Sequence, residues 1–164
     1  MRQHARTIFF VATIFTLALA AQAAAQHTTL GASLGYGGHD TTTPHAQLDV
    51  TVATDAQNLT SELPEGGQLG VRLDVTAPFN AVSYPALGAS VVWRQPTGAF
   101  TPYAGIGADV RWFDLDGTRC YETAGRLLVG TEWALTDTWS LRAEGTALTS
   151  GRLAASIGIA LSLP

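Results

Sequence analysis

Apolar and polar residues alternate with a period of two along most of the chain. In residues 152–164 the odd positions from Leu153 to Leu163 are apolar, and the even positions before Pro164 mostly carry small or polar side chains. Successive side chains of a β-strand point to opposite faces, so this segment predicts a strand with one apolar and one polar face. The same alternation runs through residues 69–76 and 103–112. The pattern predicts an all-β protein.

Turn sequences rich in Gly, Pro, Asp and Thr divide the chain after residue 26 into eight predicted strands. They cover residues 28–36, 45–53, 68–76, 86–94, 100–112, 123–135, 138–148 and 152–163. Strands of about ten residues, mostly joined by short turns, predict an eight-stranded antiparallel up-and-down transmembrane β-barrel. Residues 54–67 are long for a turn in such a barrel, so either the second strand runs further or the turn carries additional structure.

The start of the chain has the features of a secretory signal peptide. Arg2, His4 and Arg6 precede a largely apolar stretch without charges, and Ala23-Ala24-Ala25 fits the small-residue rule for cleavage. A single membrane-spanning helix is the alternative, but the apolar stretch is shorter than the ~20 residues that a span needs. We therefore predict a signal peptide over residues 1–25 and a barrel domain over residues 26–164.

The charge of the mature chain disfavours a nucleic-acid partner. The sequence has no lysine, and subtracting Arg2 and Arg6 from its nine basic residues leaves seven against thirteen acidic ones, a formal charge of −6. Binding to phosphates needs a basic surface instead. Cys120 is the only cysteine, so an internal disulfide is excluded and a thiolate metal site of the usual spacing is not expected.

The apolar strand faces are too numerous and too continuous for a surface in water. We expect them to face lipid, with the polar faces lining the barrel lumen. Six arginines and five carboxylates share the polar parity, and we predict that they pair across neighbouring strands and fill a lumen barely wide enough for side chains. This predicted lumen ion network comprises Asp49, Arg72, Asp74, Arg94, Asp109, Arg111, Arg126, Glu132, Arg142, Glu144 and Arg152.

Aromatic residues on the apolar parity fall near predicted strand ends, where a transmembrane barrel carries its interfacial girdles. If the first strand runs outward from the periplasm, four of them lie at the periplasmic rim and two at the outer rim. The predicted membrane-interface residues are Trp93, Phe100, Trp133 and Trp139 at the first rim, and Tyr36 and Trp112 at the second.

Two stretches resemble a known family. Residues 101–108, TPYAGIGA, look like the Pro-Tyr-x-Gly-x-Gly strand of small bacterial outer-membrane β-barrel proteins, the group that includes the outer-membrane protein A transmembrane domain. Residues 130–144, GTEWALTDTWSLRAE, resemble the penultimate hairpin of that family, in which Arg and Glu point into the lumen. The resemblance implies an eight-stranded barrel in the bacterial outer membrane. It supports a fold much better than a function.

The sequence therefore predicts an outer-membrane barrel with a structural, envelope-stabilising or surface-contact role. We expect outer-membrane lipid as its surroundings, no catalytic residues, no cofactor and no metal; any partner of its surface loops is not identified by the sequence. The alternative is a soluble secreted or periplasmic lipocalin-like barrel that binds a small apolar ligand, which requires the opposite facing of every strand. Lesser alternatives are a narrow ion channel gated by the lumen ion pairs and a lipid-A-modifying barrel enzyme, for which His39 with Asp40 is the only candidate pair.

Overall fold

The chain forms a closed barrel of eight antiparallel strands, as the alternation predicts. The computed structural model describes residues 27–37, 43–59, 62, 64–79, 85–115 and 118–163, so the predicted signal peptide lies outside the described residues. The strands are β1 (His27–Gly37), β2 (Pro44–Asp55), β3 (Gln68–Pro78), β4 (Ala86–Arg94), β5 (Phe100–Leu115), β6 (Thr118–Ala134), β7 (Trp139–Leu148) and β8 (Leu153–Leu163).

Each strand pairs with its neighbours in the sequence, and β1 closes the barrel by pairing with β8. Closure leaves no exposed sheet edge along the wall of the barrel, because each strand finds hydrogen-bonding partners on both sides. His27 and Leu163 lie at the same end of the barrel, which we call the terminal rim. The β2–β3, β4–β5 and β6–β7 connections also lie there, and the other four connections lie at the opposite rim.

Residues 54–67 show both the longer second strand and the additional structure in the turn that the sequence left open as alternatives. The strand β2 runs to Asp55, two residues beyond the predicted end, and a short 3-10 helix follows at Ala56–Asn58. Ala56 is fully buried, and its backbone N–H donates to the carbonyl oxygen of Gly67 at 2.8 Å. This hydrogen bond holds the turn against the start of β3.

The β5–β6 hairpin is longer than predicted. The turn composition of residues 114–119 suggested a loop, but β5 continues to Leu115 and β6 begins at Thr118, five residues before the predicted start. The two strands stay in register from Phe100↔Trp133 to Leu115↔Thr118. The ladder between the two strands pairs alternate backbone groups of each strand, which extends the hairpin where β5 and β6 have only each other as partners.

The two parities of the strands have opposite surroundings. Ile106, Leu48 and Leu153 point away from the barrel and are more than 60% exposed, whereas Arg72 and Arg142 are 2% and 3% exposed. The interior of the barrel is thus the polar lumen, and the apolar side chains form its outer surface. Among the described residues, no helix has the length and apolarity needed to cross a membrane.

Candidate functional site: the charged lumen

Four arginines from four different strands meet inside the barrel. Arg72 on β3, Arg94 on β4, Arg126 on β6 and Arg142 on β7 all lie on the inward parity, and their side chains are 2–9% exposed. A buried guanidinium is tolerated only where carboxylates and other acceptors surround it. Each of these four has at least one carboxylate partner, and they divide into two groups.

The first group, which we call the deep cluster, is organised around Arg142. Its Nη1 donates to both carboxylate oxygens of Asp49, at 2.7 Å and 2.6 Å, while its Nη2 donates to Oε1 of Glu132 at 2.6 Å. The other oxygen of Glu132 accepts a hydrogen bond from Nη2 of Arg94 at 2.5 Å. Glu132 therefore bridges two arginines that lie on non-adjacent strands.

Arg72 extends the deep cluster across the lumen. It donates to Asp49 at 3.3 Å and contacts both carboxylate oxygens of Glu144. The hydroxyl of Tyr103 donates to Oε2 of Glu144 at 2.7 Å, and the guanidinium of Arg142 lies 5.9 Å from the centre of the Tyr103 ring. The deep cluster is thus one continuous path, in which each carboxylate has at least two donors. It comprises Arg94, Glu132, Arg142, Asp49, Arg72, Glu144 and Tyr103.

Arg126 forms the second group, nearer the opposite rim. Its two terminal nitrogens donate to Asp74 at 2.8 Å and 2.5 Å, and Ser90 Oγ accepts from Nη2 at 2.7 Å. Nη1 also lies 3.0 Å from Oδ1 of Asp109, yet that oxygen has no hydrogen-bond partner. The Asp109 contact is therefore an ion pair without hydrogen-bond alignment, and Asp74 is the principal partner of Arg126.

The remaining two predicted arginines lie at the opening of the lumen, in a group that we call the mouth triad. Arg111 Nη2 lies 3.2 Å from Oε2 of Glu122, and Arg152 Nη1 lies 3.7 Å from the same oxygen. Sequence reasoning missed Glu122 because it placed the start of β6 at residue 123. Extending the alternation of β6 by one further residue assigns Glu122 to the inward parity, so the signal was present in the sequence.

The lumen also contains one buried cluster of large side chains and two glycines that lie against ion-paired side chains. Val92, Tyr103 and Leu128 form a buried cluster on the β4–β6 side, which the charge pattern alone did not indicate. Gly31 and Gly88 leave room for the guanidinium groups: a Cβ at Gly31 would overlap Asp49 and Arg142, and one at Gly88 would overlap Arg126. A larger residue at either position would require these ion-paired side chains to shift.

The predicted interface aromatics occupy the two rims on the outward parity. Phe100 and Trp133 face each other across the β5–β6 ladder at the terminal rim, and their rings stack with centroids 5.5 Å apart. Trp93 and Trp139 lie at the same rim. Tyr36 and Trp112 lie toward the opposite rim, and both are at least partly exposed.

The described residues contain no group of three or more His, Cys, Asp and Glu side chains placed to hold a metal ion. His39 and Asp40, the only candidate pair for an enzyme, lie outside the described residues. What the lumen offers chemically is a set of mutually neutralising charges rather than an exposed nucleophile or base.

Comparisons with known proteins agree with this architecture. No protein-family model matches the chain, and no curated protein matches its sequence. The N-terminal β-barrel domain of Pseudomonas aeruginosa OprF is similar in structure, with a TM-score of 0.62 and 12% identity over 85% of this chain and 98% of that one. Neisserial surface protein A (NspA) is also similar, with a TM-score of 0.54 and 14% identity over 84% and 95% of the two chains. The chain therefore has the fold of the small eight-stranded outer-membrane β-barrels, as its sequence resemblance predicted.

Proposed function

We propose that this protein is a bacterial outer-membrane barrel, without enzymatic activity, that spans the membrane with a filled lumen and has a structural or surface-contact role. The observation that carries the proposal is the opposite character of the two strand faces. The outward face is apolar, whereas the inward face holds ion-paired arginines and carboxylates. A bilayer is the solvent that stabilises such an arrangement.

The facing of the strands argues against the lipocalin-like alternative. That alternative needs an apolar interior to receive a small apolar ligand. Ile157 and Ile159, which would have to line it, are 59% and 46% exposed on the outside, and Arg72 and Arg142 occupy the inside. In water, an outer surface of this kind would be an extensive apolar patch.

The ion pairs support a structural role for the lumen. Arg142, Arg72 and Arg94 reach across the interior from three strands, and their partners lie on other strands. Such cross-lumen bonds tie the wall together and occupy the space that solute would need. We accordingly expect the intact barrel to give no steady ion conductance in a planar bilayer, and regular conductance steps would contradict the filled lumen.

The membrane placement is tested by fractionation together with gel mobility. The mature chain should appear in the outer-membrane fraction, and its mobility should differ between boiled and unboiled samples, because a barrel that survives in detergent migrates in compact form. A soluble product that folds without detergent would contradict the placement.

A pair of variants at Ile106 makes the test sharper. Ile106 is 67% exposed at the middle of β5. Ile106→Arg would put a charge in the lipid and should cost about 2–4 kcal/mol of folding free energy in vesicles. Ile106→Leu is the matched control and should fold like the parent. If the surface faced water instead, Ile106→Arg would be tolerated.

A further inference from the structure

A cavity of about 150 Å³ occupies the end of the lumen at the terminal rim. This volume is enough for a few water molecules of ~30 Å³ each or for one small ion, and it is well below the ~300–1,000 Å³ of pockets for larger organic ligands. The cavity is lined mostly by polar residues. We call it the rim cavity, and its lining residues on the inward parity are His27, Thr29, Gln68, Arg94, Thr101 and Ser162.

Arg94 joins the rim cavity to the deep cluster. Its Nη2 donates to Oε2 of Glu132 at 2.5 Å, and its Nη1 donates to Thr29 Oγ1 over a long contact of 3.4 Å. A guanidinium carries five N–H groups in a fixed fork, and these are the two hydrogen bonds that Arg94 donates within the described part of the chain. A buried cation with further donors therefore borders the rim cavity.

Arg94 is also the end of the alternating path of charges in the deep cluster. Arg142 and Arg72 each contact two carboxylates. Among the described carboxylates, Arg94 contacts Glu132 alone. An anion in the rim cavity would continue the alternation of charge and give Arg94 the second charged acceptor that the other two arginines have.

The rest of the lining favours an anion over a cation. None of the residues that the structure places around the rim cavity is Asp or Glu. The hydroxyls of Thr29, Thr101 and Ser162 and the side-chain amide of Gln68 are all able to donate to an oxygen atom. A guanidinium surrounded by neutral donors is a suitable environment for an oxyanion, because charge-assisted hydrogen bonds to its oxygens are the strong ones.

We propose that the rim cavity binds a small oxyanion, either phosphate or the carboxylate group of a small organic acid, beside Arg94. The inference goes beyond the proposed function, since the site needs the barrel fold and not its surroundings. The proposed outer-membrane placement adds only that the ligand enters from the periplasm. The lumen stays closed when the site is filled, because the deep cluster lies behind Arg94.

The experiment is an NMR titration of the isotope-labelled barrel in maltoside micelles, which contain no phosphate group. Sodium phosphate and sodium acetate are added in separate titrations, and sodium chloride keeps the ionic strength constant. We expect the Arg94 Nε–H and Thr29 amide signals to shift and to saturate in the millimolar range. Saturation with phosphate alone identifies a tetrahedral ligand, and saturation with acetate alone identifies a carboxylate.

The mouth triad provides an internal control for this titration. Arg111 and Arg152 are more exposed than Arg94, so adventitious ions would reach them more easily. Shifts at these two arginines that equal those at Arg94, or that rise linearly with salt, would overturn the proposal. Unchanged Arg94 and Thr29 signals in both titrations would overturn it as well.

Two variants keep Arg94 and its ion pair in place. Thr29→Val removes one hydroxyl of the rim cavity and should weaken binding about fivefold, the effect of losing one neutral hydrogen bond. Thr54→Val is the matched control, because Thr54 lies near the same rim on the outward parity of β2, opposite Leu69, and this variant should bind like the parent.

Ser162→Leu fills the rim cavity with an apolar side chain and should abolish binding. The backbone N–H of Ser162, which donates to the carbonyl oxygen of Thr138 at 2.8 Å, is unaffected by this change. Binding that persists at parental strength in Ser162→Leu would place the ion elsewhere and overturn the proposal. Heat-modifiable mobility of the same samples shows separately whether each variant has formed the barrel.

Discussion

The deep cluster and the mouth triad both pair arginines with carboxylates, but they differ in how deeply the charges are buried. In the deep cluster the side chains of Arg142 and Asp49 are 3% and 0% exposed, and their atoms lie 2.6 Å apart. In the mouth triad Arg152 and Glu122 are 32% and 36% exposed, and the closest atoms are 3.7 Å apart. Burial separates the two groups, whereas their contact distances overlap: Arg72 and Asp49 lie 3.3 Å apart in the deep cluster, and Arg111 and Glu122 lie 3.2 Å apart in the mouth triad.

The difference shows where charge determines the stability of this barrel. A charge near the rim can be hydrated when its partner is lost, so the pair contributes little. The side chains of the deep cluster are buried, so the loss of one partner leaves the remaining charges buried and uncompensated. Identical chemistry should therefore give large effects at one level of the lumen and small effects at another.

The largest effect is expected from Arg142→Met, which keeps much of the side-chain volume and removes the charge. Asp49 loses the shorter of its two arginine contacts. Glu132 loses one of its two arginine contacts and keeps the one with Arg94. Breaking a buried pair from one side costs about 3–5 kcal/mol. The measurement is urea unfolding in phospholipid vesicles, followed by tryptophan fluorescence.

Arg152→Met is the matched control for this prediction, since it removes the same charge at the mouth. We expect its unfolding midpoint to stay close to that of the parent. Equal losses of stability in Arg142→Met and Arg152→Met would show that burial does not determine how much these charges contribute to folding.

A smaller effect is expected where the volume of the lumen is changed and its charge is kept. Gly88→Val places atoms where Arg126, Asp74 and Asp109 lie, so these ion-paired groups must move. Overpacking of this kind costs about 1–3 kcal/mol. Gly145→Val is the control, because a Cβ there meets only Val129, at 3.9 Å. Both variants are compared by the same urea titration, and equal stability would mean that the lumen around Arg126 is not filled.

The sequence was sufficient to predict the fold because the alternation with period two persists through every strand. A barrel with an apolar outer surface requires the outward face of each strand to be uniformly apolar. The odd positions of Leu153–Leu163 and of residues 69–76 already have this character in the sequence. The ends of the strands were harder to place. Turn composition wrongly ended β5 near residue 112, because a two-stranded ribbon can contain polar residues that a buried strand cannot.

The partners of the charges could not be predicted in the same way. Arg142 and Asp49 are 93 residues apart in the chain, and Arg72 and Glu144 are 72 apart. Parity assigns each of them to the lumen but not to a height within it, which depends on the stagger of the strands around the barrel. The separation into a deep cluster and a mouth triad therefore emerges only from the three-dimensional register.

The smallest effect is expected from Glu122→Gln, which removes a carboxylate that contacts both Arg111 and Arg152. The three side chains are 16–36% exposed, so water can hydrate the arginines after the change, and the loss should stay within about 1 kcal/mol. Salt screens exposed charges, so this small loss should shrink further between low and high ionic strength. Glu132→Gln is the control within the deep cluster, and its larger loss should persist in salt. A large, salt-independent loss in Glu122→Gln would mean that the mouth triad is as dry as the deep cluster, and that the lumen is sealed along its whole length.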